Sequence, residues 1–185
     1  MRSDRHFTFK AKRDYLHSTS LFDDLVAFRG ASPRQIDFRF SHKTGKQVSY
    51  LDTLPGPADV LVAEWSDADG RLYVVERNDP IREAVGYDEA ALVSRFALDG
   101  RTVHIPAELG GFTRIDALVA GFKHLLQRVS PLDAGRKHAF VRIRLAHVPE
   151  GAASITYARD IGAFSQGDIF EDGKLLGQIF FGIWT

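Results

Sequence analysis

One pattern constrains this chain more than any other: a helix-forming segment followed by an Asp-Gly hairpin occurs twice, in the same order. The helix Thr19-Ser20-Leu21-Phe22-Asp23-Asp24-Leu25-Val26-Ala27-Phe28 is matched by Thr113-Arg114-Ile115-Asp116-Ala117-Leu118-Val119-Ala120-Gly121-Phe122. The hairpin Trp65-Ser66-Asp67-Ala68-Asp69-Gly70-Arg71-Leu72 is matched by Ile169-Phe170-Glu171-Asp172-Gly173-Lys174-Leu175. Copies lie roughly a hundred residues apart, which predicts two similar halves. The first helix is expected over Ser18 to Phe28, where Leu21, Phe22, Leu25 and Val26 form one face of a 3.6-residue period. The hydroxyls before it are expected N-caps, with Ser20-x-x-Asp23 as a capping box. Asp23 and Asp24 are expected where the helix dipole favours acids. Gly30 and Pro33 end the helix. In the second helix Ile115, Leu118, Val119, Phe122, Leu125, Leu126 and Val129 recur on one face, with Thr113 as cap and Ser130-Pro131 as stop.

Strands fill the spaces around these helices. His6 to Lys12 reads as a first strand, and Ile36 to Ser41 alternates as a half-buried strand does. Lys43 to Lys46 is an expected turn, with Gln47 to Leu51 as the return strand. Val60 to Ser66 and Arg71 to Val75 flank an Asp-Gly turn, a strong hairpin signal. The rhythm is lost over 78–100, where Asp88 to Phe96 fits a short helix. Arg101 to Ile105, His138 to Leu145 and Ser154 to Ala158 read as further strands. Lys174 to Trp184 is apolar on both faces, which predicts a strand central in its sheet. The expected fold class is α+β, with a first half at 1–80, a connector at 81–100 and a second half at 101–185. A single larger sheet with helices on one face is the structural alternative.

Composition narrows the function classes. Lys+Arg and Asp+Glu are both 24, so the basic surplus expected of a nucleic-acid binder is missing. There is no cysteine, which removes disulfides and thiol chemistry. No apolar run reaches the length of a membrane span or of a signal peptide, and a cytoplasmic protein is expected. The 14 Phe residues suit a core and an apolar ligand channel equally. No His-x-x-x-His spacing, P-loop, dinucleotide fingerprint or Gly-x-Ser-x-Gly elbow occurs. No metal or cofactor is therefore expected.

Each half, read as strand, helix and then four strands, resembles the hot-dog fold. Two such units in one chain resemble the double hot-dog arrangement of thioesterases, hydroxyacyl-thioester dehydratases and polyketide-synthase dehydratase domains. The resemblance implies a substrate that is an acyl thioester of coenzyme A or acyl carrier protein. It also implies dehydration or hydrolysis by a His or an acid, without nucleic acid or membrane insertion, in a monomer or homodimer. A non-catalytic acyl-binding, small-molecule-binding or assembly protein on the same scaffold is the alternative.

Thioester chemistry needs a base of suitable pKa and amide donors for a developing oxyanion. Two segments offer them. His104-Ile105-Pro106-Ala107-Glu108-Leu109-Gly110-Gly111-Phe112-Thr113-Arg114-Ile115-Asp116 resembles the dehydratase order of His, Pro/Gly loop and helix-borne carboxylate. Ile115-Asp116-Ala117-Leu118 is similar to the Leu-Asp-Ala segment of polyketide dehydratases, whose Gln or His four residues on is Ala120 here. Thr113-x-x-Asp116 also fits a capping box, which gives Asp116 a purely structural alternative. The second segment, Asp14-Tyr15-Leu16-His17-Ser18-Thr19-Ser20, is the densest polar cluster, and the repeat would set it opposite the first. His17 and Asp116 are the catalytic candidates. Tyr15, Ser18, His104, Gly110 and Gly111 are the binding candidates. His138, Arg142 and Arg144 are expected on one strand face as a weaker set. His42 and Lys43 are read as turn surface.

Overall fold

A computed structural model of the chain describes residues 1–30 and 32–184. Two compact units emerge, Met1–Asp88 and Glu89–Thr185.

The first unit contains β1 (Arg2–Arg5), β2 (Phe9–Lys10), α1 (Ser18–Arg29), β3 (Arg34–Phe40), β4 (Lys46–Leu51), β5 (Leu61–Asp67), β6 (Gly70–Pro80) and β7 (Ala84–Val85). Its sheet runs β1-β4-β6-β5-β3, with antiparallel neighbours throughout. β2 and β7 form a separate parallel pair. Alternation in β3 buries Ile36, Phe38 and Phe40 on one face. Phe22 of α1 meets Phe38 and Trp65 edge-on, with ring centroids 5.6 and 5.2 Å apart. Burying a side chain of this size contributes about 1.5–3 kcal/mol, so this aromatic trio anchors the helix to β3 and β5. Further along α1, Asp24 accepts from Arg5 Nε and Nη2 at 2.8 and 2.6 Å and from the Tyr50 hydroxyl at 2.7 Å. Burial, reinforced by the Asp24 carboxylate, pushes the Tyr50 phenol far above its ordinary range and keeps it a neutral donor.

Three local expectations are corrected here. The first helix begins at Ser18, and its N-cap is His17, which makes no side-chain cap hydrogen bond. Ser18 and Thr19 lie inside the helix and are buried, because fully buried Leu16 draws the preceding chain into the core. Asp23 and Asp24 therefore fall beyond the first turn, which holds no acid. Secondly, the expected first strand is split. The Gln47 side chain accepts from Phe7 N at 2.7 Å and donates to Phe7 O at 3.0 Å, taking the place of a ladder partner. Thirdly, β4 does not return along β3. Ser41 and His42 stay bonded to Val62 O on β5, and Thr44 O accepts from Leu16 N at 2.7 Å. The chain crosses over in this stretch, and β4 settles between β1 and β6.

The second unit contains α2 (Glu89–Val93), β8 (Ala97–Asp99), β9 (Thr102–Ile105), α3 (Arg114–Val129), β10 (Lys137–His147), β11 (Ala153–Ile161), β12 (Phe164–Glu171) and β13 (Lys174–Trp184). Its sheet runs β8-β9-β11-β12-β13-β10, again antiparallel. β13 is flanked on both sides, as its two apolar faces require. α3 buries Ile115, Leu118, Phe122, Leu125 and Leu126. Phe122 meets Phe181 edge-on at 5.4 Å, and Phe181 meets Phe140 at 5.9 Å. Gly167 makes room for this contact, since a Cβ there would lie 2.6 Å from the Phe122 ring.

In each unit two short strands precede a main helix and four longer strands follow it, with β7 added in the first and α2 in the second, and each packs an apolar helix against a mainly antiparallel sheet in a hot-dog-like way. They differ in how the closing hairpin enters the sheet. In the first unit the fourth strand after the helix, β6, sits beside β4. In the second, β12 takes the equivalent place beside β11 and the last strand, β13, lies beside β10. The repeat thus holds for element order and not for every pairing.

One carboxylate ties the second unit's loops together. Glu171 accepts from Glu150 N, Gly151 N and His147 Nε2 at 2.8, 3.0 and 2.9 Å. The Gly151 amide first, then His147 and the Glu150 amide, hold its carboxyl below the usual range against the opposing cost of burial. A depressed pKa contributes stability that is present above the unfolded-state value and lost as pH falls through the folded-state value. Wild type is therefore expected to exceed Glu171→Gln by about 1 kcal/mol, roughly 2–4 °C in Tm, at about pH 5. The gap should narrow as pH falls through the folded-state value and the carboxyl becomes protonated in both states. Thermal melts across that window check this; a gap that stays constant would show that the charge is not what these donors hold.

Candidate functional site

The site candidates gather at the N-terminal ends of α1 and α3. His17 caps α1 in extended conformation (φ −76°, ψ 130°) and is half-buried. Its Nδ1 lies 2.6 Å from Thr19 Oγ1, and Lys10 Nζ donates to the same oxygen at 2.9 Å. Thr19 is fully buried. The short parallel pair β2–β7 delivers these partners. Phe9 N and Ala11 N bond to Glu83 O and Val85 O, which carries Lys10 and the 84–88 stretch up to the helix end. Tyr87 then stands beside His17 with ring centroids 6.0 Å apart. Lys10 Nζ and Arg13 Cζ lie 5.0 and 5.3 Å from the Tyr87 centroid, cation–π distances that hold both cations on one aromatic ring.

Of the other candidates in this unit, Tyr15 is half-buried and carries Lys43 Nζ 4.8 Å from its ring centroid. Lys43, expected as bare turn surface, is thus part of the same neighbourhood. Ser18 is the first helical residue and is buried. Sequence reasoning missed Lys10, Thr19 as a His partner, and Tyr87. Nothing in the sequence links a tyrosine after Gly86 to a histidine seventy residues earlier, because the link is a two-residue parallel pair.

In the second unit Thr113 is the N-cap of α3, and its hydroxyl accepts from Asp116 N at 3.2 Å. Asp116 is 3% exposed. The cap explains the backbone of this turn; it does not explain why a carboxylate is buried there, since an apolar side chain would cap equally well through its amide. Gly110 and Gly111 form an exposed turn before the helix, both with positive φ (62° and 94°), a conformation that favours glycine. Arg114 fastens this loop. Its guanidinium donates to Pro106 O, Ala107 O and Glu150 O at 3.1, 2.5 and 2.7 Å. Arg114→Met is expected to cost about 1–3 kcal/mol, through loss of charge-assisted hydrogen bonds. Faster amide exchange over 107–112 and 148–151, measured with the Tm, checks this. Unchanged exchange there would assign the loop's order to other contacts.

His104 is placed apart from Asp116. Val103 and Ile105 on either side of it are buried, and Ile105 approaches Gly121 of α3. By strand alternation His104 points away from that helix. It lines a surface groove of about 440 Å³ together with Arg95, Ser154, Phe170 and Asp172. The weaker set is not one face either. A bulge between Phe140 and Arg142 reverses the alternation of β10, so His138 shares parity with Phe140 while Arg142 and Arg144 do not. His138 Nε2 lies 2.9 Å from Ser130 O, at the end of α3.

Solved structures of similar fold exist. No family model matches the chain, and none of the curated proteins matches it in sequence. The dehydratase domain of RzxB from Pseudomonas fluorescens is similar at 11% identity and a TM-score of 0.48, covering 100% of this chain and 94% of that one. The tesB protein of Mycobacterium avium subs paratuberculosis is similar at 11% identity and a TM-score of 0.48, covering 100% and 93%. A thioesterase II from Thermobifida fusca YX, named as putative, is similar at 10% identity and a TM-score of 0.46, covering 94% and 88%. Likenesses of this size leave substrate and chemistry to the residues themselves. Among the described residues, no helix is long and apolar enough to cross a membrane.

Those residues define what each helix end can do. At α1, a half-buried imidazole is held through Nδ1 against Thr19 Oγ1, and an imidazole is the side chain suited to proton or hydrogen-bond chemistry near neutral pH. At α3, a buried carboxylate lies in the first turn of a helix, where backbone amides cluster.

Proposed function

We propose that the chain processes an acyl thioester, carried on coenzyme A or acyl carrier protein, by dehydration or hydrolysis. The observation that carries this reading is the His17 imidazole at the start of α1, oriented by Thr19, which is itself bonded to Lys10. A half-buried His with a fixed ring is what hydrogen-bond or proton transfer at a carbonyl needs. Asp116, in the other unit, is a second candidate for acid–base chemistry in this proposal, and its burial at the start of α3 supports that role. The Gly110-Gly111 turn is the proposed thioester-binding loop, with Tyr15 and Ser18 lining the approach to His17. The double hot-dog arrangement belongs to the same proposal. His104 takes no part in the chemistry, because it faces away from α3.

The test is turnover of a panel of 3-hydroxyacyl and saturated acyl thioesters by the full chain. Release of water from the first group identifies a dehydratase, and release of free thiol identifies a thioesterase. No turnover of either, with no thermal shift from coenzyme A or an acyl carrier protein, overturns the proposal. A second reading, binding or assembly without catalysis, is favoured by one feature. Ala120, one turn along from Asp116, is buried and apolar and offers that carboxylate no polar partner of its own. Thermal shift without turnover selects this reading.

A further inference from the structure

We propose that the surface groove lined by Arg95, His104, Phe170 and Asp172 binds a nucleoside monophosphate whose base carries an exocyclic amine. The groove belongs to the second unit's sheet, on the face away from α3, so the inference goes beyond the thioester reading and does not depend on it. Its geometry follows from strand pairing. Ala97, His104, Ser154 and Phe170 are successive cross-strand partners on β8, β9, β11 and β12, so their side chains share one face. Their chain neighbours Val103, Ile105, Ala153, Ile155 and Ile169 are buried on the other. Beyond this row the strands end, and Pro106 and Ala152 line the groove between Arg95 and Asp172. Proline and alanine are too small to fill the space between two charged residues, and about 440 Å³ is left, the size of a small-molecule site.

The lining is cationic at one end, apolar in the middle and anionic at the other end. A Cβ at Gly110 would lie 2.5 Å from Arg95 Nη2, so the guanidinium rests on a turn that has no side chain there to displace it. A guanidinium forks onto two oxygens of one anion, and the His104 ring and Ser154 hydroxyl add single donors beside it. Across the groove the Phe170 ring and the Asp172 carboxylate stand together. Neighbouring strands lie about 4.8 Å apart, so two to three strand spacings, about 10–14 Å, separate the poles. Asp172 can only accept while ionised, so it selects an N–H or O–H donor and repels a second anion. A nucleoside monophosphate with an amino group on its base has the matching order. Its phosphate meets Arg95 and His104, its base the Phe170 ring, and its amine Asp172. A bare phosphate lacks the last two features, and an acyl chain lacks the last.

Isothermal titration of the full chain with adenosine 5′-monophosphate tests this. Saturable one-to-one binding is expected, with inorganic phosphate and adenosine each weaker by about tenfold or more. Arg95→Met should weaken the nucleotide by about tenfold or more, the loss expected for charge-assisted hydrogen bonds. Phe170→Ala should weaken it by about tenfold through lost stacking. Should Phe170→Ala fail to fold, Phe170→Leu keeps the apolar volume and removes the ring. Inosine 5′-monophosphate presents a carbonyl where adenine has its amine; it should bind about fivefold more weakly, and Asp172→Asn should bring the two nucleotides within about twofold of each other. Coenzyme A distinguishes two sources of the same group. Displacement of the nucleotide by coenzyme A assigns the site to the nucleotide end of a carrier, and no displacement assigns it to a free nucleotide; either result supports the site. Absence of saturable binding overturns the inference, as does phosphate alone binding as tightly as the nucleotide, or an affinity unchanged in both Arg95→Met and the Phe170 variant. Nucleotide binding without thioester turnover removes only the thioester reading, whereas turnover without nucleotide binding removes only this site.

Discussion

His17→Ala is expected to lower thioester turnover by about 10²–10³-fold while leaving the fold intact, the scale of loss when a hydrogen-bonding or proton-transferring group at a reacting carbonyl is removed. Stability should change little, because His17 is half-buried and makes no side-chain cap bond to α1. The change removes one partner of Thr19, whose bond from Lys10 remains, and the ring contact with Tyr87. Asp116→Asn is the matching change in the other unit. It keeps the volume of a side chain that is 3% exposed and removes only its charge, so the cavity cost of an alanine is avoided. Turnover is expected to fall by about 10²–10⁴-fold if the carboxylate handles the proton. Steady-state rates on the substrate of the wild type check both variants. Turnover within about threefold of wild type in both single variants would exclude chemistry at these residues, since removal of either role costs far more than that. The binding or assembly reading would then replace it.

What the sequence disclosed and what it withheld follow from the range of the interactions concerned. α3 was legible because its apolar period and its Thr113 cap are both local. The hairpins β5–β6 and β12–β13 were legible because their turns are adjacent in the chain. The pairing of β4 was not. A short polar link after an alternating strand reads as a hairpin turn, whereas Leu16, nearly thirty residues earlier, and Ile81 bond to Thr44 and Gly45 and hold the link in a crossover instead. The start of α1 at Ser18 was legible, but its cap was misread for a related reason. Ser18 and Thr19 carry the chemistry of caps, but the cap is His17, and those hydroxyl residues lie inside the helix and are buried. That same placement made Thr19 a partner for His17. The histidine singled out in the sequence therefore has neighbours, Thr19 and Lys10 among them, that the sequence did not disclose. His104 was grouped with Asp116 by sequence order, while strand alternation sends it to the other face. For Arg142 and Arg144 the alternation itself fails at a bulge, which no local pattern announces.

Gly177→Ala is expected to be the most destabilising methyl addition among these glycines. Gly177 pairs with Leu145 where β13 runs beside β10. A Cβ at this position would lie 1.9 Å from the Arg144 carbonyl oxygen and 2.9 Å from its carbon. Those are backbone atoms of a paired strand, so no side-chain rotation relieves the contact. β13 has nowhere to retreat, because β12 is bonded along its other edge from Phe164 to Glu171. Relief requires breaking pairs on one side or the other, and a loss of about 3 kcal/mol or more is expected, roughly 6–12 °C in Tm. Gly182→Ala on the same strand is the control. Its Cβ would meet Val141 and Phe164 side chains at 3.4 to 3.6 Å, close to ordinary contact, and should cost less than about 1 kcal/mol. Melting curves of the two variants, with far-ultraviolet circular dichroism to confirm folding, make the comparison. Equal Tm values would mean that β10 and β13 do not approach closely at Gly177. The expected difference would establish that a glycine, chosen for a backbone approach and not for a turn, sets how closely the last strand can pack into its sheet.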